Sequence, residues 1–486
     1  MNILMLAAEC IPFAKTGGLA DVVYALSVAL EKLGNTIKII LPRYRSIDRT
    51  NLKSLGALAV QMGNENLYCE VLKTNLNNTK IEVFFIEYND FFDREKLYSY
   101  DDDFKRFSFF SKAALELCIE KIKWKPDILH CHDWHTAIGS VYLKHSGSKK
   151  IAGFENTKSV LTIHNLCFQG ICSKDNFQYF GLDPDVFYKA GFEAGSNAFN
   201  ILKAGITCAD KITTVSKNYA NETKTIKHGF GLEPVLKKRS TDYEGILNGI
   251  DSAEWDPSTD VYLQPEQRFS YADMKGKVKA KIALQKRFDL PIDANIPLIG
   301  MVMRLAEQKG IIELFKPGFG CAEAICRNMN VQMVILGTGE EWCEDEIRRL
   351  TDSVDIPNFQ GITGYSEEIA HLIEAGSDLF LMPSRFEPCG LNQMYSLIRG
   401  VIPIVSRTGG LVDTVDDYNE ADGSGTGFMF HKNSPSAIYN AVSRAIAVWE
   451  NNPNHIEAMR LRGMQKTFNW EIPAKEYVAL YKRMFI

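Results

Sequence analysis

Several short polar blocks follow apolar runs and combine residue types able to hold an anion or a sugar. Lys15-Thr16-Gly17-Gly18 comes after Ile3 to Ala8. Its lysine is a mobile point charge, and its Gly-Gly pair lets backbone N–H groups turn toward a phosphate at the start of the next helix. Arg304 and Lys309 lie five apart after Leu298 to Met303. Two cations at a strand end suit a diphosphate leaving group, whose developing charge each preorganised donor stabilises by about 10²–10³ in rate. Glu387 stands in the Pro-flanked turn Pro383-Ser384-Arg385-Phe386-Glu387-Pro388-Cys389-Gly390-Leu391. A carboxylate fixed there, beside backbone amides, can hold sugar hydroxyls or steady an oxocarbenium-like transition state. His164 and Asn165 close the run Val160 to Ile163 with donors and acceptors that match sugar hydroxyls.

Other chemistries are disfavoured by what is missing. His130-Cys131-His132-Asp133-Trp134-His135 holds imidazole, thiolate and carboxylate within a few residues, which invites a metal. Yet a strand ending near His130 alternates its side chains, so the histidines are not expected to converge, and neither C-x-x-C nor H-E-x-x-H occurs. No metal site is expected; these groups should face a cleft or cap the following helix. G-x-x-x-x-G-K-[ST] is absent, as is G-x-G-x-x-G after the first apolar run, which argues against an ATPase and a dehydrogenase. Gly337-Thr338-Gly339 alone is weak evidence. No second carboxylate stands at a partner spacing to Glu387, so a glycosidase acid/base pair is not indicated.

The elements that must position these residues can be read from periodicity. Leu19, Val22, Val23, Leu26, Leu30 and Leu33 share one helical face from about Leu19 to Leu33, and Gly34 follows as a stop. Flanking runs Ile3 to Ala8 and Ile37 to Leu41 make a β-α-β start. Val83 to Ile86, Ile128 to His130, Val160 to Ile163 and Ile212 to Val215 continue the strand series, with helical patterns such as Phe109 to Ile122 between them. The pattern restarts with Leu298 to Met303, Val331 to Leu336, Phe380 to Met382 and Ile402 to Val405. Two α/β, doubly wound domains are therefore expected, with the ligand at the carboxyl ends of their strands. Lys15 to Val23 and Arg407 to Val415 share K/R-T-G-G-L-x-D-x-V, an internal echo that supports two halves. The predicted segments are 1–245, 246–468 and an amphipathic C-terminal helix in 469–486 with Ala474, Tyr477, Leu480 and Tyr481 inward.

Composition agrees with an ordinary globular chain. There are 486 residues, 45% hydrophobic, with 55 Lys+Arg against 60 Asp+Glu and a formal net charge of −5. A mildly acidic balance argues against a nucleic-acid partner. The 11 cysteines are scattered, odd in number and without a C-x-x-C pair, which fits reduced thiols in a cytoplasmic protein. No basic leader and no apolar run near the ~20 residues that span a bilayer is present, so no membrane association is expected.

Taken together, K-T-G-G-L-A-D-V (15–22), H-D-W-H-T (132–136), T-I-H-N-L (162–166), N-G-I-D (248–251), R-L-A-E-Q-K-G (304–310), P-S-R-F-E-P-C-G-L-N-Q-M-Y (383–395) and T-G-G-L-V-D-T-V (408–415) resemble bacterial glycogen synthases and plant starch synthases, in order and over nearly the whole chain. The resemblance implies two Rossmann-like domains facing a cleft, the B-type glycosyltransferase fold, with the C-terminal helix packing back on the N-terminal domain. It implies retaining transfer of glucose from ADP-glucose to the non-reducing end of an α-1,4-glucan, without metal or cofactor. By the same carry-over Lys15, Gly17 and Gly18 contact the donor phosphates and Arg304 and Lys309 neutralise the leaving ADP. His164 and Asn165 lie by the donor glucose, Asp133 near the reaction centre and Asn248 on the hinge side. Glu387 holds the sugar or supports the cationic transition state. Cys389, Gly390 and Leu391 offer backbone donors, and Thr408 faces the phosphates. Two departures are present. Tyr395 stands where the wider retaining group has the second Glu of E-x₇-E, and Arg94 to Tyr98 lacks a Pro-Gly-rich form, which leaves Tyr98 unassigned. A UDP-glucose-dependent enzyme of the same fold, a silent glucan-binding protein and a dinucleotide oxidoreductase are the competing readings.

Overall fold

The structure is a computed structural model and describes residues 1–145 and 153–485. The chain divides into two compact units, Met1–Gly249 with Trp470–Ile486, and Ile250–Asn469.

The first unit is built on a nine-stranded sheet. In chain order the strands of this unit are β1 (Asn2–Leu6), β2 (Thr36–Pro42), β3 (Lys53–Met62), β4 (Glu65–Asn75), β5 (Glu82–Glu87), β6 (Ile128–His132), β7 (Lys158–Ile163), β8 (Ile171–Ser173), β9 (Glu193–Ala194), β10 (Ala198–Asn200), β11 (Lys211–Thr214) and β12 (Tyr243–Gly245). The sheet order is β12-β11-β7-β6-β1-β2-β5-β4-β3, and β8-β10-β9 form a separate small sheet. Seven strands from β12 to β5 run parallel, and the β3–β4 hairpin joins antiparallel at one edge. Central strands β1 and β6 are buried on both faces; β1 accordingly reads as a nearly continuous apolar run, whereas β6 carries His130 and His132 inside the sheet.

The helix Gly18–Lys32 forms where the 3.6-residue stripe predicts it. Leu19, Val22, Val23, Leu26 and Leu30 are buried, and Gly34, at φ +83°, ends it in the left-handed region that favours glycine. The C-terminal helix Glu471–Arg483 belongs to this unit and packs on Gly18–Lys32, with Ala474, Tyr477, Leu480 and Tyr481 buried.

The second unit holds a six-stranded all-parallel sheet of β13 (Leu298–Leu305), β14 (Gln332–Gly339), β15 (Phe359–Thr363), β16 (Leu379–Met382), β17 (Ile402–Ser406) and β18 (Phe428–Phe430). Its order is β15-β14-β13-β16-β17-β18. Apolar side chains fill both faces of this sheet, one packed against helices that include Ala322–Asn328 and Pro435–Asn451, the other against Lys275–Arg287 and Glu367–Gly376. The fold is thus α/β with two Rossmann-like doubly wound domains.

Candidate functional site

In an open parallel sheet, loops at the carboxyl ends of two adjacent strands diverge where the chain reverses its direction of building, and a crevice opens there. In the first unit that reversal lies between β1 and β6. The loop after β1 carries Lys15 to Gly18, and the residue after β6 is Asp133. In the second unit the reversal lies between β13 and β16; Arg304 is the penultimate residue of β13, Lys309 follows the strand, and the Pro383–Leu391 turn follows β16. Residues scattered over hundreds of positions thus collect into one group per unit.

Asp133 sits between β6 and the helix Asp133–His145 with φ +59°, a left-handed conformation uncommon for a residue with a side chain. Its Oδ1 accepts from the backbone N–H of His164 at 2.7 Å and of Asn165 at 3.3 Å. Burial pushes its carboxyl up to about 7, against the opposing pull of those two hydrogen bonds. One carboxylate thereby pins the end of β7 and orients both His164 and Asn165.

The histidines behave differently from the sequence expectation. Strand β6 continues to His132, two residues past the expected end, so His130 and His132 fall on the same face of the sheet. Their rings stack with centroids 4.3 Å apart, and His132 Nδ1 lies 3.0 Å from His164 Nε2. His130 Nε2 contacts Thr162 Oγ1 at 2.6 Å, and its Nδ1 contacts the hydroxyl of Tyr481 on the C-terminal helix at 2.8 Å. Burial lowers His130 and His164 to about 3 and His132 well below its ordinary value, so all three are neutral at pH 7. The convergence makes a neutral imidazole layer. Among the described residues no group of three or more His, Cys, Asp and Glu is arranged to hold a metal ion.

The Lys15 loop is exposed. Lys15 Nζ pairs with Asp21 at 2.9 Å, while Gly17 caps the helix with extended backbone. Beneath it Glu9, 3% exposed, accepts from the Thr16 N–H, from Thr16 Oγ1 at 2.7 Å and from the Tyr98 hydroxyl at 2.6 Å. Glu9 is a support of this loop that sequence reasoning missed, and Tyr98, left unassigned there, is its partner. They are 89 positions apart, and the only signal was Glu9 interrupting an apolar N-terminal run.

In the second unit Lys309 Nζ and Glu387 Oε2 are 2.5 Å apart, and Ser384 Oγ donates to the same oxygen at 2.9 Å. Cation and carboxylate, read separately in the sequence, form one pair. Arg304 is exposed at the end of β13 and has no ion-pair partner among the described residues. The 383–391 turn is fastened to the β13 loop: Arg385 N–H donates to Gln308 O at 2.8 Å, Gln308 Nε2 to Phe386 O at 3.2 Å, and Asn392 Nδ2 to Val302 O at 2.6 Å. Gly390, at φ +73°, turns the chain, and Gln393 Nε2 holds the carbonyls of Cys389 and Gly390 at 3.1 and 3.0 Å. Among the described residues the backbone N–H groups of Gly390 and Leu391 meet no protein acceptor. Thr408 is buried and caps the helix Gly409–Thr414, whose Gly410 N–H donates to Glu387 O at 3.0 Å. Asn248 is buried in the first unit, its N–H donating to Val215 O at 3.3 Å and its Oδ1 without a partner among the described residues. Tyr395, the departure in E-x₇-E, stacks on Trp255 with centroids 3.7 Å apart.

Known proteins are similar to this chain. Residues 2–238 match the family described as starch synthase catalytic domain, and residues 284–462 match glycosyl transferases group 1. The glycogen synthase of Treponema denticola is 46% identical over 99% of this chain and 98% of its own length. The chain belongs to the glycogen synthase family. That of Bacillus subtilis is 39% identical over 100% of this chain and 98% of its own. The catalytic domain of starch synthase IV from Arabidopsis thaliana, bound to ADP and acarbose, superposes with a TM-score of 0.90 at 32% identity, covering 99% and 98% of the two chains. As a glycogen synthase family member the protein is a hexosyltransferase, and its two doubly wound domains are the B-type glycosyltransferase fold. Its helices include none long and apolar enough to cross a membrane among the described residues.

Proposed function

We propose that the protein transfers glucose from ADP-glucose to the non-reducing end of an α-1,4-glucan, with retention, elongating glycogen. The observation that carries this reading is the Lys309–Glu387 pair at the strand reversal of the second unit, where exposed Arg304 stands near the end of β13. It joins leaving-group cations to a sugar-holding carboxylate. An ADP leaving group is further supported by the Arabidopsis domain, which holds ADP and acarbose.

In this proposal the second unit is the nucleotide-sugar side. Arg304 and Lys309 neutralise the diphosphate, Glu387 holds the glucose, the Cys389, Gly390 and Leu391 amides donate to it, and Thr408 lies by the phosphates. The first unit is the acceptor side. There Lys15, Gly17 and Gly18 reach the donor phosphates, His164 and Asn165 bind the donor sugar, Asp133 positions them near the reacting carbon, and Asn248 marks the hinge. Retention without a protein nucleophile follows from front-face substitution. The acceptor 4-hydroxyl oxygen bonds to C1 as the C1–phosphate bond breaks, and its proton passes to the departing phosphate oxygen. Stabilising that phosphate is then the main task of the protein. No metal or cofactor is invoked, and the site of action is the cytoplasm, consistent with 11 cysteines and no disulfide among the described residues.

The test measures ADP or UDP released from the two glucose donors with a glycogen primer, together with glucose incorporated into polymer. Primer-dependent release from ADP-glucose is expected. Equal use of UDP-glucose would overturn the donor assignment, and no release from either would make the protein a silent glucan binder.

A further inference from the structure

We propose that His132 is a positioning residue that fixes the tautomer of His164, so that His164 presents an Nδ1–H donor toward the sugar. The proposal rests on the assignment of His164 to the donor sugar.

Two neutral imidazoles share one hydrogen bond, His132 Nδ1 to His164 Nε2 at 3.0 Å, and a neutral ring carries only one N–H. Either nitrogen can supply it. The remaining nitrogen of His132 decides between them. Nε2 of His132 is fully enclosed and has no hydrogen-bond partner among the described residues. If His164 donated from Nε2, His132 would have to carry its own proton on that enclosed Nε2, leaving a buried N–H unpaired, the rarer and more costly kind of orphan. If His132 donates from Nδ1, its Nε2 retains only a lone pair. His164 then accepts at Nε2 and must carry its proton on Nδ1, because the hydrogen bond made by one ring nitrogen sets the state of the other.

The surroundings hold His132 in this role. Its ring is 0% exposed and stacks on His130 at 4.3 Å, and His130 is fixed on both nitrogens by Thr162 Oγ1 and Tyr481 OH. Thr136 Oγ1 accepts from the His132 backbone N–H at 2.6 Å and donates to its carbonyl at 2.8 Å. His164 is half-buried, and the Asp133 carboxylate fixes its backbone N–H at 2.7 Å. Backbone and ring are thus set from two directions. A donor at Nδ1 recognises the lone pairs of a sugar hydroxyl or an oxyanion; the opposite tautomer would present an acceptor there.

The decisive measurement is ¹⁵N NMR of the full chain labelled at histidine, with His164→Gln used to assign the resonance. At neutral pH the His164 signals should show a protonated Nδ1 and a bare Nε2; the reverse pattern overturns the proposal. This readout needs no turnover, so it stands or falls separately from the assignment of His164 to the sugar, which His164→Ala kinetics tests. His132→Phe keeps the stacked ring and removes the donor. It should lower kcat about 10–100-fold, as loss of a residue that orients a ligand does, with KM for ADP-glucose changed less than threefold. His132→Asn, whose amide stands near the Nδ1 position, should restore at least a tenth of wild-type kcat. Full activity of His132→Phe in a chain where His164→Ala is impaired would overturn the proposal.

Discussion

The two Thr-Gly-Gly-Leu stretches share six identical residues and one basic position out of nine, yet they are held in opposite ways. In the first, Lys15 to Gly18 are all exposed, and a Cβ added at Gly17 would meet nothing within 4 Å. In the second, Thr408, Gly409 and Gly410 are buried. A Cβ at Gly409 would lie 1.8 Å from Glu387 O, and one at Gly410 2.2 Å from Cys389 O. Glycine leaves open space in the first loop and allows close packing in the second. There Gly409 and Gly410 let the helix N-terminus seat directly against the backbone of the turn that carries Glu387. One sequence pattern thus supports two physical tasks, and a motif match alone does not say which.

The largest effects should come from what the packed loop supports. Lys309→Ala and Arg304→Ala are each expected to lower turnover with ADP-glucose about 10²–10³-fold. Only Lys309→Ala should also cost stability, about 1–3 kcal/mol in denaturant melts, since it strips buried Glu387 of its cation. Arg304→Ala should stay within about 0.5 kcal/mol. Turnover within a few-fold of wild type for either would dissolve the leaving-group assignment.

Gly409→Ala comes next. Its φ of +46° and the Glu387 carbonyl both resist a side chain, so about 2–4 kcal/mol of destabilisation and a roughly 10²-fold loss of turnover are expected. A variant as stable as wild type would remove the contrast between the loops.

Asp133 tests the first unit by pH. Its carboxyl is raised to about 7 by burial, so the folded state binds more protons than the unfolded one between the ordinary carboxylate range and pH 7. That contribution is present at low pH and lost as pH rises through 7. Asp133→Asn should remove the loss, gaining about 1–3 kcal/mol on wild type between pH 5 and pH 8 in urea melts. A pH-independent difference would mean that the carboxyl titrates normally.

Smaller effects belong to the open loop. Glu9→Gln weakens the hold on Thr16 and should raise KM for ADP-glucose several-fold while changing kcat less, as measured in initial rates. Gly17→Ala should change stability by less than about 0.5 kcal/mol, because its extended backbone and open surroundings accept a methyl group. A large loss there would show the first loop to be packed like the second.

Much of the scaffold was legible because burial leaves a period in the chain. The helix Gly18–Lys32 and strands β1, β2, β5, β7, β11, β13, β16 and β17 sit within a few residues of their predicted bounds. The β3–β4 hairpin was not read. On its outer strand the exposed Ala57 and Ala59 are apolar like the buried Leu58, Val60 and Met62 they alternate with, so the pattern carries little hydrophobic contrast. The end of β6 was set two residues early for a similar reason, since His130 and His132 are polar residues in a fully buried strand. Their burial depends on partners supplied elsewhere: Thr162 on the neighbouring strand and Tyr481 at 351 positions' distance for His130, and His164 for His132.

The sequence by itself determined the two-unit α/β architecture and the chemical inventory at each strand end, because hydrophobic periodicity and turn glycines act locally. Tertiary structure alone decided who touches whom. The pairing of Lys309 with Glu387 and the meeting of His132 with His164 both depend on strand order and register. A β-strand alternates its faces at every residue, so a shift of one position would have sent each of those histidines to the other side of the sheet.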